Sequence, residues 1–206
     1  MHIGLDLDNT IVIYDSVFLK TAKQTGLLAE TFDGSKKDLR DAIRRLEDGE
    51  TEWQRLQGQV YGAHMKEAEI ADGVAEFLKA CRAGGHSVSI ISHKTVHGHF
   101  DPQKINLRDA ALDWLQAQGF FDPQGFGLTP GEVAFEDTRA DKIRRIAASG
   151  CTLFIDDLTE VLEDAAFPAG VERLLYAPGG EVPTRDGIRA FRSWRDLQEA
   201  VFGNDD

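Results

Sequence analysis

Four aspartates carry the chemistry that this chain points to first. Asp6 and Asp8 stand at i and i+2 directly after the apolar run Ile3, Leu5 and Leu7. On an extended segment that spacing turns both carboxylates to one side. A second pair, Asp156-Asp157, follows the apolar run Cys151 to Ile155. Adjacent carboxylates repel one another unless a cation or a shared proton compensates. A lone Asp-x-Asp also fits a solvated turn, and a lone Asp-Asp fits a helix N-terminus, where aspartate is favoured. Two such pairs, each closing an apolar run, point instead to a shared crevice holding a hard divalent cation, with Mg2+ the natural candidate. Ser92 follows the run Ser87 to Ile91, and Lys142 lies near the start of a helical pattern, fourteen residues before Asp156. Taken singly, each also fits an ordinary turn serine and a surface lysine. Together they supply a hydroxyl donor and an ammonium for an anionic group.

These side chains need elements to hold them. Short apolar runs at His2 to Asp8, Ser87 to Ile91, Val133 to Phe135, Cys151 to Ile155 and Arg173 to Tyr176 read as strands. Between them, Val74 to Arg82, Leu107 to Gln118 and Asp141 to Ala148 repeat apolar residues at helical spacing. The alternation predicts an α/β protein, a Rossmann-like parallel sheet with helices on both faces. Ligands in such sheets bind beyond the carboxyl ends of the strands. The first two strands are separated by far more chain than one crossover needs. The intervening segment reads as helices at Val17 to Gly26, Lys36 to Glu47 and Thr51 to about Glu69, with no strand. The expected organisation is a core of 1–14 and 73–206 with a small helical cap inserted at 15–72.

Charge and composition remove several classes of function. The net charge is -12, from 23 basic and 35 acidic residues. A nucleic-acid backbone needs a basic face, so that partner is not expected. No apolar run approaches the roughly 20 residues that span a bilayer. The N-terminus lacks the basic and apolar regions of a signal peptide, so a cytoplasmic location and no membrane partner are expected. Cys81 and Cys151 form no Cys-x-x-Cys and read as reduced, partly buried thiols. Oligomeric state is not legible.

The order Asp6-Leu7-Asp8-Asn9-Thr10, Ser92, Lys142, Asp156-Asp157 resembles the four motifs of the haloacid dehalogenase (HAD) superfamily of phosphohydrolases, and the helical insertion resembles its C1-type cap. The resemblance runs from Ile3 to about Tyr176. It implies a Mg2+-dependent phosphatase acting on a small phosphorylated metabolite, with Asp6 as nucleophile and Asp8 as acid and base. It implies Ser92 and Lys142 as donors to the phosphoryl group. The metal would be held by Asp6, by the Asp8 backbone carbonyl and by a motif-four acid, taken as Asp157 with Asp156 orienting Lys142; the other option is Asp156 as the direct metal ligand. Thr10 would order the loop after the nucleophile. Some relatives carry a third acid where this chain has Val161 and Leu162.

Other signals are weaker. His93 and Lys94 adjoin Ser92 and are candidate substrate contacts together with Thr10. The string with His93, His97 and His99 lacks a fourth ligand for a transition metal. Lys36, Lys37, Arg40, Arg44 and Arg45 read as a solvated basic face, and Trp53, Leu56 and Tyr61 as packing within the insertion. A phospho-aspartate signalling protein, or a catalytically silent binding protein on the same fold, is the alternative function.

Overall fold

The computed structural model describes residues 1–179 and 185–203. The described residues contain a six-stranded sheet of β1 (His2–Leu5), β4 (Ser87–His93), β5 (Val133–Glu136), β6 (Leu153–Asp156), β7 (Glu172–Tyr176) and β8 (Ile188–Phe191), in the order β5-β4-β1-β6-β7-β8. Every pairing is parallel. β1 lies between β4, with Leu5 opposite Ile90, and β6, with Leu5 opposite Ile155. The first strand and the strand carrying the second aspartate pair are therefore neighbours.

Both faces are covered, as a parallel sheet requires. Successive strand residues point to opposite sides. Leu175 joins a core with Ile91, Phe154, Ile143 and Ile146 under α6 (Arg139–Ser149), extended by Val161 and Leu162 of α7 (Thr159–Leu162). The next residue, Tyr176, faces the other way onto Trp194 of α8 (Trp194–Phe202), at 5.6 Å between ring centroids. Trp194 in turn meets Phe77 of α4 (Val74–Ala83) edge-on at 5.0 Å. Val161 and Leu162 are thus core residues, and Glu160 is a first-turn acid of α7.

The chain divides into two compact units. The first comprises Met1–Val12, Ile70–Lys94 and Gly119–Asp206 and contains the large sheet. The second comprises Ile13–Glu69 and Thr95–Gln118. It holds α1 (Asp15–Gln24), α2 (Lys36–Ile43), α3 (Gly49–Tyr61) and α5 (Leu107–Ala117). The sequence assigns 95–118 to the core, but the structure groups it with the insertion. The reason is local. Trp114 of α5 is buried in the second unit and donates its indole N–H to the Ala68 carbonyl at 2.9 Å. Two short strands also stand where helix and loop were expected: β2 (Val12–Ile13) and β3 (Glu69–Ile70) pair with each other. The third expected helix stops at Gly62, whose backbone (φ -106°, ψ -99°) is not helical.

Within the second unit, Trp53 and Leu56 are buried, with the Trp53 ring stacked on Phe18 at 5.2 Å. Tyr61 packs edge-on against Tyr14 at 4.9 Å. Lys36 departs from the solvated reading, because its ammonium lies 4.8 Å from the Phe18 ring centroid. Cys81 and Cys151 are free and buried. Among the described residues no helix is long and apolar enough to cross a membrane.

Gly4 sits on the central strand, where a Cβ would come within 2.4 Å of the Phe154 ring and 3.2 Å of the Cys151 sulfur. Overpacking a buried ring costs about 1–3 kcal/mol, against a gain of roughly 0.4–1 kcal/mol from restricting the unfolded chain. Gly4→Ala is therefore expected to lower stability by about 1–2 kcal/mol, read as a lower urea midpoint at unchanged slope; an unchanged midpoint would contradict this packing.

Candidate active site

The predicted catalytic, metal and substrate-contact residues Asp6, Asp8, Thr10, Ser92, His93, Lys94, Lys142, Asp156 and Asp157 lie in the first unit, whereas His97 and His99 belong to the second. The backbone ladder continues past the end of β1, since the Asp6 amide donates to the Ile155 carbonyl at 2.9 Å. Asp6 is thereby fixed beside Asp156 and Asp157 at the carboxyl ends of neighbouring strands. One carboxylate oxygen from each of Asp6, Asp156 and Asp157 lies within 4.8 Å of the others, the one such grouping of potential metal-holding side chains among the described residues. The histidine string forms no such group. His93 pairs through Nε2 with the Asp137 carbonyl at 2.9 Å, and His97 through Nδ1 with the Ile105 carbonyl at 3.3 Å.

The chain turns sharply after Leu7. The amides of Ile11 and Val12 both donate to the Leu7 carbonyl, at 2.9 and 3.0 Å. Asn9 occupies the left-handed region at φ 60°, which asparagine tolerates better than most residues. Thr10 is fully buried, and its hydroxyl lies 3.5 Å from an Asp157 oxygen. Trp194 donates its indole N–H to the Thr10 carbonyl at 3.1 Å, so α8 pins this turn from beneath. Nothing in the sequence pattern points to Trp194; its role depends on packing that only the fold creates.

Lys142 is the counter-charge. Thr138 caps α6 by accepting from the Asp141 amide at 3.1 Å, which sets Lys142 in the first turn. Its side chain is 2% exposed, and its ammonium donates at 2.6 Å to Asp6 and at 2.6 Å to Asp156. Burial alone would lower the lysine's pKa, but the Asp6 and Asp156 carboxylates outweigh it and hold the group protonated. Asp156 has both oxygens engaged, one by Lys142 and the other by the Leu158 amide at 2.9 Å. Of its two expected places, as metal ligand or as partner of Lys142, the hydrogen bonds fit the second.

Ser92 is buried with its hydroxyl unpaired among the described residues. Lys94 is not turned outward. Its ammonium reaches both oxygens of Asp8, at 3.1 and 2.9 Å. His93, by contrast, is exposed and held to a backbone carbonyl.

Counted as fully ionised, the four carboxylates outnumber the two ammonium groups of Lys94 and Lys142, so the cluster carries an excess of negative charge. Burial, opposed by Lys142 and reinforced by the Asp156 and Asp8 carboxylates, pushes the Asp6 pKa up to about 7. Burial, with Asp6 and Asp156 close by, pushes Asp157 up to about 8.

Comparison with solved structures gives the fold a name. Over 98% of this chain and 94% of the other, it superposes on a haloacid dehalogenase-like family hydrolase from Xanthomonas campestris, with TM-score 0.55 and 16% identity. A HAD family hydrolase from Deinococcus radiodurans, solved with bound phosphate and sodium, gives TM-score 0.59 and 18% identity over 97% of this chain and 94% of that one. A predicted phosphoglycolate phosphatase from Haemophilus somnus gives 0.55 and 18% over 97% and 96%. The chain has the HAD-like fold. No protein-family model matches it, and no curated protein sequence does.

The raised carboxyl groups fix a sign. Unfolded, each aspartate ionises near its ordinary 3.8. The folded protein therefore holds more protons, and the pair's contribution to stability, complete below about pH 4, is lost as pH rises through about 7 to 8. Asp157→Asn removes one of the two. In EDTA its melting temperature is expected to exceed that of the wild type by more at about pH 8.5 than at about pH 5, measured by calorimetry, and the opposite trend would contradict the assignment.

Proposed function

We infer that this protein is a Mg2+-dependent phosphatase that hydrolyses a small phosphomonoester through a phosphoryl group carried on Asp6. The observation that carries the reading is the convergence of the Asp6, Asp156 and Asp157 carboxylates at the carboxyl edge of the sheet, the first two of them accepting from a buried, protonated Lys142. The neighbours' names support the class: hydrolases throughout those reported above, one of them solved with phosphate and another a predicted phosphoglycolate phosphatase.

The donor set fits a hard divalent cation. The ligands on offer are oxygens, and the cluster's excess of negative charge suits a divalent cation. Asp6, Asp157 and the Asp8 carbonyl would hold it, with Asp156 left to orient Lys142. When bound, the ion supplies charge stabilisation to the transferring phosphoryl oxygens.

The remaining steps belong to the chain's own groups. The free Asp6 oxygen attacks phosphorus while the bond from phosphorus to the ester oxygen breaks. Asp8, having taken up a proton from solvent before the step, gives it to that departing oxygen, so the alcohol leaves neutral and Asp8 becomes the carboxylate. As a carboxylate, Asp8 then takes a proton from water, whose oxygen attacks the phosphorus and releases Asp6 and inorganic phosphate. Lys142 and Ser92 donate to the phosphoryl oxygens in both transition states, fixed beforehand so that little reorganisation is needed. Lys142 has a second duty. By pairing with one Asp6 oxygen it leaves the other as the nucleophile. The substrate is a small phosphorylated metabolite, and the acidic chain is not built for a polyanionic partner.

With p-nitrophenyl phosphate and Mg2+, steady turnover is expected, stopped by EDTA. Asp6→Asn is expected to lower kcat by at least about a thousandfold while the circular dichroism spectrum is retained. Appreciable turnover in Asp6→Asn, or a rate indifferent to EDTA, would refute the mechanism. Mg2+ is also expected to raise the melting temperature of the wild type by binding the folded state, and no shift at saturating Mg2+ would remove the metal site.

A further inference from the structure

Lys94 is a second buried lysine at this edge of the sheet, and the mechanism above does not use it. Its side chain is 2% exposed, whereas the Asp8 side chain it meets is 18% exposed. The ammonium approaches both Asp8 oxygens, at 2.9 and 3.1 Å, so it constrains rotation of the carboxylate as well as its direction. The grip starts from a fixed base. The Lys94 amide donates to the Glu136 carbonyl at 3.0 Å, extending the ladder between β4 and β5 by one residue beyond His93. Ser92 and Lys94, at i and i+2 on this extended segment, point to the same side. An exposed lysine would lose most of this attraction to solvent and to its own mobility. A buried stem on a tethered backbone keeps the ammonium in place.

We propose that Lys94 is a positioning residue that aims the Asp8 carboxyl at the ester oxygen of the substrate. The proposal rests on the phosphatase reading and refines it. Asp8 stands at the start of a turn, and its carboxyl could swing between the crevice and solvent. Proton transfer requires it within hydrogen-bond reach of the departing oxygen, and a misdirected carboxyl forfeits that transfer. The loss falls unevenly across substrates. An alkoxide is a poor leaving group and needs the proton. p-Nitrophenolate is a stable anion and leaves without one. A lysine serving only to offset charge or to support the fold would affect both esters alike.

The test compares kcat/KM for ethyl phosphate and p-nitrophenyl phosphate, in Mg2+, for wild type, Lys94→Met and Lys94→Arg. Lys94→Met is expected to lose about a hundredfold on ethyl phosphate and less than about tenfold on p-nitrophenyl phosphate, which needs no such proton. Lys94→Arg, which keeps the charge and can grip both oxygens, is expected to hold the ratio of the two within about threefold of wild type. Lys94→Gln, which cannot supply a charged grip, replaces Lys94→Met if the latter does not fold. Equal losses on both esters, no loss on either, or an arginine variant as skewed as the methionine variant would overturn the inference alone. A wild type inactive on both esters would remove the phosphatase reading, and this inference with it.

Discussion

The site depends on one lysine that cannot leave. A buried ammonium costs several kcal/mol in lost hydration, and Lys142 recovers this only by donating to Asp6 and Asp156 at once. Without it, the burial and neighbouring acids that raise the Asp6 carboxyl would act unopposed. The groups therefore depend on one another for hydrogen bonds and charge balance, and the strand ends, the α6 cap and the turn after Asp8 all serve to bring them within reach. Removing one partner would strand a buried charge, which is why such clusters are strict in geometry even when their net contribution to stability is small.

The sheet order makes the meeting possible. With β1 between β4 and β6, Asp6 and Asp8, Ser92 and Lys94, and Asp156 and Asp157 emerge from three adjacent strands at one edge. Lys142 reaches the same place from α6. The rest of the first unit acts as support. Trp194 holds the turn through the Thr10 carbonyl while its ring stands between Phe77 and Tyr176. A side chain on the last of the described elements thus steadies the turn that follows β1.

Much of this was legible beforehand, and the reasons differ by element. Five of the six sheet strands are short apolar runs bounded by polar residues, so the sequence marks them. β8 is not marked, because Ile188–Phe191 interleaves an arginine at the sheet edge, where one side meets solvent. The aspartate pairs were readable because acids directly after apolar runs are costly without a purpose. The Asp8 partner was not readable: a lysine two residues after a strand-end serine looks the same whether it faces solvent or a carboxylate. The grouping of α5 with the insertion was hidden for a related reason. Helical spacing shows that a face is buried, and Trp114 belongs to that face, but spacing does not say against which unit it lies.

The position of β1 at the centre of a wholly parallel sheet also bears on how the chain assembles during synthesis. It leaves the ribosome well before its neighbours, which begin at Ser87 and Leu153. No local hairpin can shield its two open sides in the meantime. A nascent chain must carry this apolar ribbon, acids at its tip, until β6 (Leu153–Asp156) has been made. Long-range pairing of this kind is slow and exposed to sticking, and the charged end that later serves the crevice also discourages premature self-association at the strand's edge.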